Sequence, residues 1–191
     1  MATEIGRPRD RRIDAAVLRA TAELISDTGY ADLAVDAIAR RAGTSKPAIY
    51  RRWPSKAHLV HEAVFPIGDA TVLPDTGSVA GDVREMVRRT VMVLRTPAAR
   101  AALPGLVAEM AADLTLHAAL LERFGDILFR GLADRLQRGV ARGEIRAEVT
   151  VADMVEALAG PTILALLTRG AALDDSWVDR TAALITRGIS A

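Results

Sequence analysis

Cysteine is absent from all 191 residues, so this chain has no disulfide, thiolate metal site or cysteine nucleophile. Aromatic residues are scarce at 4%, although half of the sequence is hydrophobic. Ala, Leu and Val carry the apolar content, and the Val-, Thr- and Tyr-rich stretches that build sheets are missing; such a composition indicates packed helices. Long apolar runs are missing as well. The longest, 157–168, is interrupted by Gly160-Pro161 and reads as too short to cross a bilayer. The N-terminus has no apolar signal core, so a cytoplasmic protein is expected. Serine is uncommon and never sits in a Gly-x-Ser-x-Gly setting, and carboxylates are scattered singly on polar faces. An enzyme is not expected.

Lysine is rare too, and both copies, Lys46 and Lys56, lie in the first third of the chain. The net charge of +1 conceals an asymmetry. Residues 1–61 hold eleven Lys/Arg against seven Asp/Glu, whereas residues 62–191 hold fourteen against seventeen. A small basic module joined to a larger, slightly acidic one suggests that only the first touches nucleic acid.

The stretch 35–56, VDAIARRAGTSKPAIYRRWPSK, concentrates this charge, with six cations and one anion, Asp36. Val35, Ile38, Ala39 and Ala42 recur at the spacing of one helix face. Gly43 stands where a left-handed residue ends a helix at least cost. Ser45 can cap a second helix, and Pro47 is tolerated in its first turn, where N–H groups have no intrahelical partner. Ile49 and Trp53, four apart, point together toward a core. Pro47 and Arg51 then face outward, flanked by Ala48 and Tyr50. A short helix with a buried Ile/Trp edge and a basic outer face suits the major groove of DNA.

The remaining pattern is helical throughout. Residues 1–9 read as a flexible basic tail, and 10–28 as an amphipathic first helix ended by Gly29. A fourth helix starts at Lys56 behind Ser55. Residues 73–78 (LPDTGS) form a linker of turn formers. Five further helices are expected at 79–94, 100–112, 114–141, 151–168 and 175–189. Pro104 should disturb the first turn of the second of these, and Gly160-Pro161 should kink the fourth or loosen one of its turns.

On Gly29-Tyr30, Ile38-Ala39, Ala42-Gly43, Ser45, Ile49-Tyr50, Trp53, Lys56 and Leu59, the run 13–65 resembles the N-terminal domain of TetR-family bacterial transcriptional regulators. The RGEIRAE stretch and the later AGP resemble, more loosely, some regulatory domains of that family. The resemblance implies an all-α protein of about nine helices. Residues 10–65 would form a three-helix helix-turn-helix DNA-binding domain with its connecting helix, and 66–191 a larger ligand-binding and dimerisation domain. It further implies a homodimer formed through 151–168 and 175–189, bound to palindromic operator DNA and released by a small effector. No cofactor and no membrane partner are implied.

The family's contacts carry over by position. Lys46, Pro47 and Ala48 would meet bases, lysine donating to guanine and the apolar pair touching a thymine methyl. Thr44 and Ser45 would bond phosphates, Tyr50 a phosphate or base, Arg51 and Arg52 backbone or bases, and Lys56 the backbone. Ala34 departs from the Thr or Ser usual in relatives. Asp36, where relatives are often basic or polar, either accepts from a cytosine amino group or favours the helix N-terminus; we favour the structural role. Met92, Leu106, Met110, Phe124, Leu128, Met154 and Leu158, large apolar residues near helix midpoints, are candidates to line a pocket for an apolar effector. His58, His61 and Glu62 have helical spacing but no third histidine, so they read as surface or interface residues and not as a metal site. The alternative reading is a helical ligand-binding or protein-interaction module that no longer binds DNA.

Overall fold

A computed structural model describes residues 11–66, 73–124, 130–169 and 173–191; the tail at 1–9 lies outside them. The described residues form ten helices. These are α1 (Arg11–Asp32), α2 (Val35–Arg41), α3 (Lys46–Tyr50), α4 (Lys56–Val64), α5 (Val79–Leu94), α6 (Pro97–Ala112), α7 (Leu114–Phe124), α8 (Arg130–Ala141), α9 (Val151–Arg169) and α10 (Asp175–Ile189). The only β pairing among them is one isolated bridge between Ile145 and Ser190.

Two apolar cores organise these helices. In the first, Val17, Ala20 and Ile25 of α1 meet Ile38 and Ala39 of α2, Ile49 of α3 and Leu59 and Val60 of α4. Three further members, Ala99, Ala102 and Leu106, come from α6. This core therefore draws on residues from both sides of the boundary expected near residue 65. At Gly105 the two parts come close: a β-carbon there would stand 2.2 Å from Cδ1 of the Tyr30 ring, so glycine favours the approach.

The second core joins α5, α8, α9 and α10 through Val83, Val87, Val91, Leu132, Met154, Trp177 and Ile185. Its linker is tied down by a buried carboxylate. Oδ1 of Asp82 accepts from the Thr76 backbone N–H (2.7 Å) and hydroxyl (2.9 Å), while Oδ2 pairs with Arg135 at 3.0 Å. Arg135 also reaches the carbonyl of Pro74 and the carboxylate of Asp75. At the far end, Arg146 N–H donates to the Ile189 carbonyl (2.9 Å), holding the C-terminus against the turn after α8.

Two sequence expectations change. Helix α6 starts at Pro97, not at residue 100, because Thr96 caps it by accepting from Ala99 N–H. Pro104 therefore falls in its middle, on an exposed side. Helix α9 continues through Gly160-Pro161 as one helical segment. Uninterrupted, its window 151–168 has a mean hydropathy of 1.5 and is long and apolar enough to cross a bilayer by length and composition. Only 22% of that window is buried within the chain, which leaves Leu164 and Leu167 open to solvent. The single helix expected at 114–141 is described as α7 and α8, and residues 125–129 between them lie outside the described part.

Candidate nucleic-acid interface

The turn between α2 and α3 is built from main-chain chemistry. Gly43 has φ +65°, Thr44 N–H donates to the Ala39 carbonyl (2.9 Å) and Gly43 N–H to that of Arg40 (3.3 Å). This is the paired closure that ends a helix when the next residue is left-handed. Ser45 then opens α3, its hydroxyl accepting from Ala48 N–H at 3.3 Å, with Pro47 in the first turn. Ala34, by contrast, gives α2 no side-chain cap. Helix α3 has only five residues and cannot stand alone. Ile49 (1% exposed) and Trp53 (5%) pin it to the first core, each contributing about 1.5–3 kcal/mol by burial. Trp53 also donates its indole N–H to Glu62 of α4 at 2.8 Å.

With that edge buried, Ser45, Lys46, Pro47, Tyr50 and Arg51 are exposed together, while Thr44 and Ala48 are half-buried. The other two predicted contacts are engaged within the protein. Arg52 turns inward and pairs through Nε with Asp14 of α1, its side chain 19% exposed. Lys56 donates to the Tyr30 carbonyl at 2.9 Å and lies over the Tyr30 ring. Both partners are distant in sequence, and nothing in the local pattern announces them.

Lys46 is also paired. Its Nζ sits 2.8 Å from Oδ2 of Asp36, in the first turn of α2. The hydrogen bond to Lys46 holds the Asp36 carboxyl below its usual range, and Asp36 raises the Lys46 ammonium. The favoured structural role for Asp36 thus omitted a charge partner across the turn. Behind this face, Tyr30 is 7% exposed; burial first, then the Glu109 carboxylate of α6, pushes its phenol up.

His58, His61 and Glu62 do not converge. His58 Nδ1 meets the Ser55 hydroxyl at 2.9 Å, Glu62 serves Trp53, and His61 is buried (5%) edge-on to Phe65. His61 is therefore a core residue, contrary to the surface or interface position expected for it. Among the described residues, no group of three His, Asp or Glu is placed to hold a metal.

The described candidate pocket residues are spread over both cores and the surface. Met92 is 57% exposed, so its position at a helix midpoint did not bring it inward, and Leu106 belongs to the first core. Met110 is half-buried on α6, and Leu158 packs on the second core. Leu128 and the side chain of Phe124 lie outside the described part. Met154 borders a small cavity of about 20 Å³, whose other walls include Met86, Leu132, Leu136, Asp82 and Arg135. That is room for about one water molecule.

A glycine-closed turn, a capped short helix anchored by Ile and Trp, and a basic outer face define a helix-turn-helix DNA-binding protein with a separate helical domain. Residues 17–63 match the family described as bacterial regulatory proteins, tetR family, and residues 73–185 match the tetracyclin repressor-like C-terminal domain. The chain belongs to the TetR family of transcriptional regulators. It is 29% identical over 186 residues to YdeS, an uncharacterized HTH-type transcriptional regulator of Bacillus subtilis, covering 93% of this chain and 90% of the relative. It is 31% identical over 175 residues to the DNA-binding transcriptional repressor TetR of Mycobacteroides abscessus, covering 87% of each. Among solved structures, the TetR-family regulator SCO0332 superposes with a TM-score of 0.70 at 30% identity, over 94% of this chain and all of that one. Salmonella enterica GusR shares the fold, with a TM-score of 0.66 at 20% identity over 97% and 98%.

Proposed function

We propose that the protein is a homodimeric repressor, acting in the cytoplasm, that grips a two-fold symmetric operator and releases it when a small effector binds. The observation that carries this reading is the exposed Lys46, Pro47, Tyr50 and Arg51 face of a helix fixed from behind by Ile49 and Trp53. Two copies of that helix would enter major grooves about 34–36 Å apart. The second copy is argued from the apolar outer sides of α9 and α10, where Leu164 (62% exposed), Leu167 (48%) and Leu184 (69%) are open. Such a surface fits the pairing of two helices with their symmetry mates into a four-helix bundle.

The effector would enter beside the small cavity between α5, α8 and α9, whose walls are mostly apolar apart from Asp82, Arg135 and Arg142. An apolar or amphipathic molecule suits them. Binding would widen the cavity and shift α5 and α6, and α6 is part of the DNA-binding core through Ala99, Ala102 and Leu106. Changing the spacing of the two α3 helices then lowers operator affinity.

The deciding experiment is selection from a random duplex library at low ionic strength, together with sedimentation equilibrium. The expected result is a dimer that enriches an inverted repeat with half-sites about one helical turn apart, its affinity falling steeply with salt. A strictly monomeric protein that enriches no duplex overturns the reading.

A further inference from the structure

We propose that Asp36 and Lys46 read one base pair as a unit, Lys46 donating to O6 and N7 of a guanine while Asp36 accepts from the N4 amino group of the paired cytosine. The inference rests on the DNA-binding reading and adds a specificity-determining residue from outside the recognition helix.

The pair is preassembled. Asp36 lies in the first turn of α2 and Lys46 in the first turn of α3, and the turn around Gly43 brings them to 2.8 Å. Both side chains remain open, 46% exposed for Lys46 and 58% for Asp36. One carboxylate oxygen, Oδ2, is used in the pair, and an ammonium keeps two more N–H donors beyond the one it gives there. The pair therefore presents a donor and an acceptor side by side on the DNA-facing surface.

That spacing matches a feature of the major groove. O6 of guanine and N4 of cytosine are hydrogen-bonded to each other, so they stand about 2.9 Å apart. An ammonium and a carboxylate 2.8 Å apart can face these two atoms simultaneously. The neighbouring groups decide between base pairs. Beside O6, guanine offers N7, a second acceptor for Lys46, and beside N4 cytosine offers only a carbon-bound hydrogen. A T·A pair shows the same central acceptor and donor, but its outer groups are wrong. It puts the thymine methyl against the ammonium, and adenine N7, an acceptor, against the carboxylate.

Stability does not explain the pair. Exposed ion pairs contribute about 0–1 kcal/mol. A carboxylate facing a phosphate-lined duplex is repelled unless a donor meets it, and in the groove the donor on a G·C pair is the cytosine amine. Position 36 thus costs general affinity, and that cost is offset at one base pair.

The test begins with the half-site enriched by the wild-type protein. Each position is replaced in turn by the other three base pairs, and dissociation constants are measured for wild type, Asp36→Ala, Lys46→Met and the double variant. Circular dichroism checks that each folds. The wild type should prefer G·C at one position of the half-site by roughly 10-fold or more. Each single variant should lose preference at that same position, and the double variant should lose little more than either. If Asp36→Ala changes affinity for every duplex alike, or if the two variants relax different positions, the paired reading is overturned while DNA binding stands. A wild type that enriches no duplex overturns both.

Discussion

Nζ of Lys56 donates to the carbonyl of Tyr30 at 2.9 Å and stands 4.4 Å from the centroid of that tyrosine's ring. The lysine that opens α4 thereby satisfies a carbonyl just beyond the break at Gly29, where φ is 77°. A phosphate contact by its remaining N–H donors would add to this anchoring role. Lys56→Ala should cost about 1–2 kcal/mol in urea unfolding, from a charged hydrogen bond and a cation–π contact near the surface. The log–log salt slope of DNA binding should flatten by about one. A variant of unchanged stability would contradict the anchor.

The same tyrosine is packed against Gly105 of α6, and this contact joins the second domain to the first. In an exposed helix Gly→Ala gains about 1 kcal/mol. Here the new β-carbon would lie 2.2 Å and 2.4 Å from two ring carbons of a residue only 7% exposed. A buried ring has little room to yield, so overpacking of about 1–3 kcal/mol should outweigh the propensity. Gly105→Ala is expected to lower stability and to change operator affinity without touching DNA. Unfolding and binding titrations on the same variant check both; a stabilised protein with unaltered affinity would show that the junction relaxes freely.

How far the chain could be read in advance depended on range. The turn at Gly43, the cap at Ser45 and the burial of Ile49 and Trp53 were legible because each follows from neighbours within one or two helical turns. Helix α10, capped by Asp174, was legible for the same reason. The pairing of Arg52, expected at DNA backbone or bases, was not legible because Asp14, its partner, lies on another helix far back in the chain. Met92 was misjudged because a midpoint says nothing of which side faces the core. Leu106, expected to line a pocket, lies in the first core because α6 packs on α1, a docking that no local periodicity encodes.

Glu85 on α5 receives Arg88 through two N–H donors, at 2.6 and 2.7 Å, and Arg89 at 2.7 Å. These bonds lower its pKa from 4.5 to about 2. A depressed carboxyl contributes stability above its unfolded pKa and loses it as pH falls through the folded one. The window is therefore about 4.5 down to about 2. Solvent screening holds the contribution to about 1 kcal/mol. Glu85→Gln should be less stable by that amount at neutral pH, and the gap should narrow on acidification through that window. Urea titrations at several pH values check it; a constant gap would assign the effect to packing.

Leu184 of α10 is 69% exposed in the single chain. A charge there costs the isolated fold little, but burying it unpaired in an interface costs several kcal/mol per ion. Leu184→Glu should leave the helical signal in circular dichroism intact and shift the protein to monomer in sedimentation equilibrium. An unaltered dimer would place the interface elsewhere.

Ser45 has two readings that its own substitutions can separate. Its hydroxyl oxygen accepts from Ala48 N–H, the bond that starts α3, and its hydrogen remains free to meet a phosphate. Aspartate also caps well, so Ser45→Asp should keep stability near wild type while Ser45→Ala loses about 1 kcal/mol. On DNA the order should reverse if the phosphate contact exists. Alanine removes one hydrogen bond, whereas aspartate places a negative charge against the backbone and should weaken every duplex more severely. If Ser45 only caps and no phosphate lies near it, affinity will instead follow stability, with aspartate binding better than alanine. Melting curves and anisotropy titrations on both variants therefore decide between the roles, because the two hypotheses predict opposite rankings.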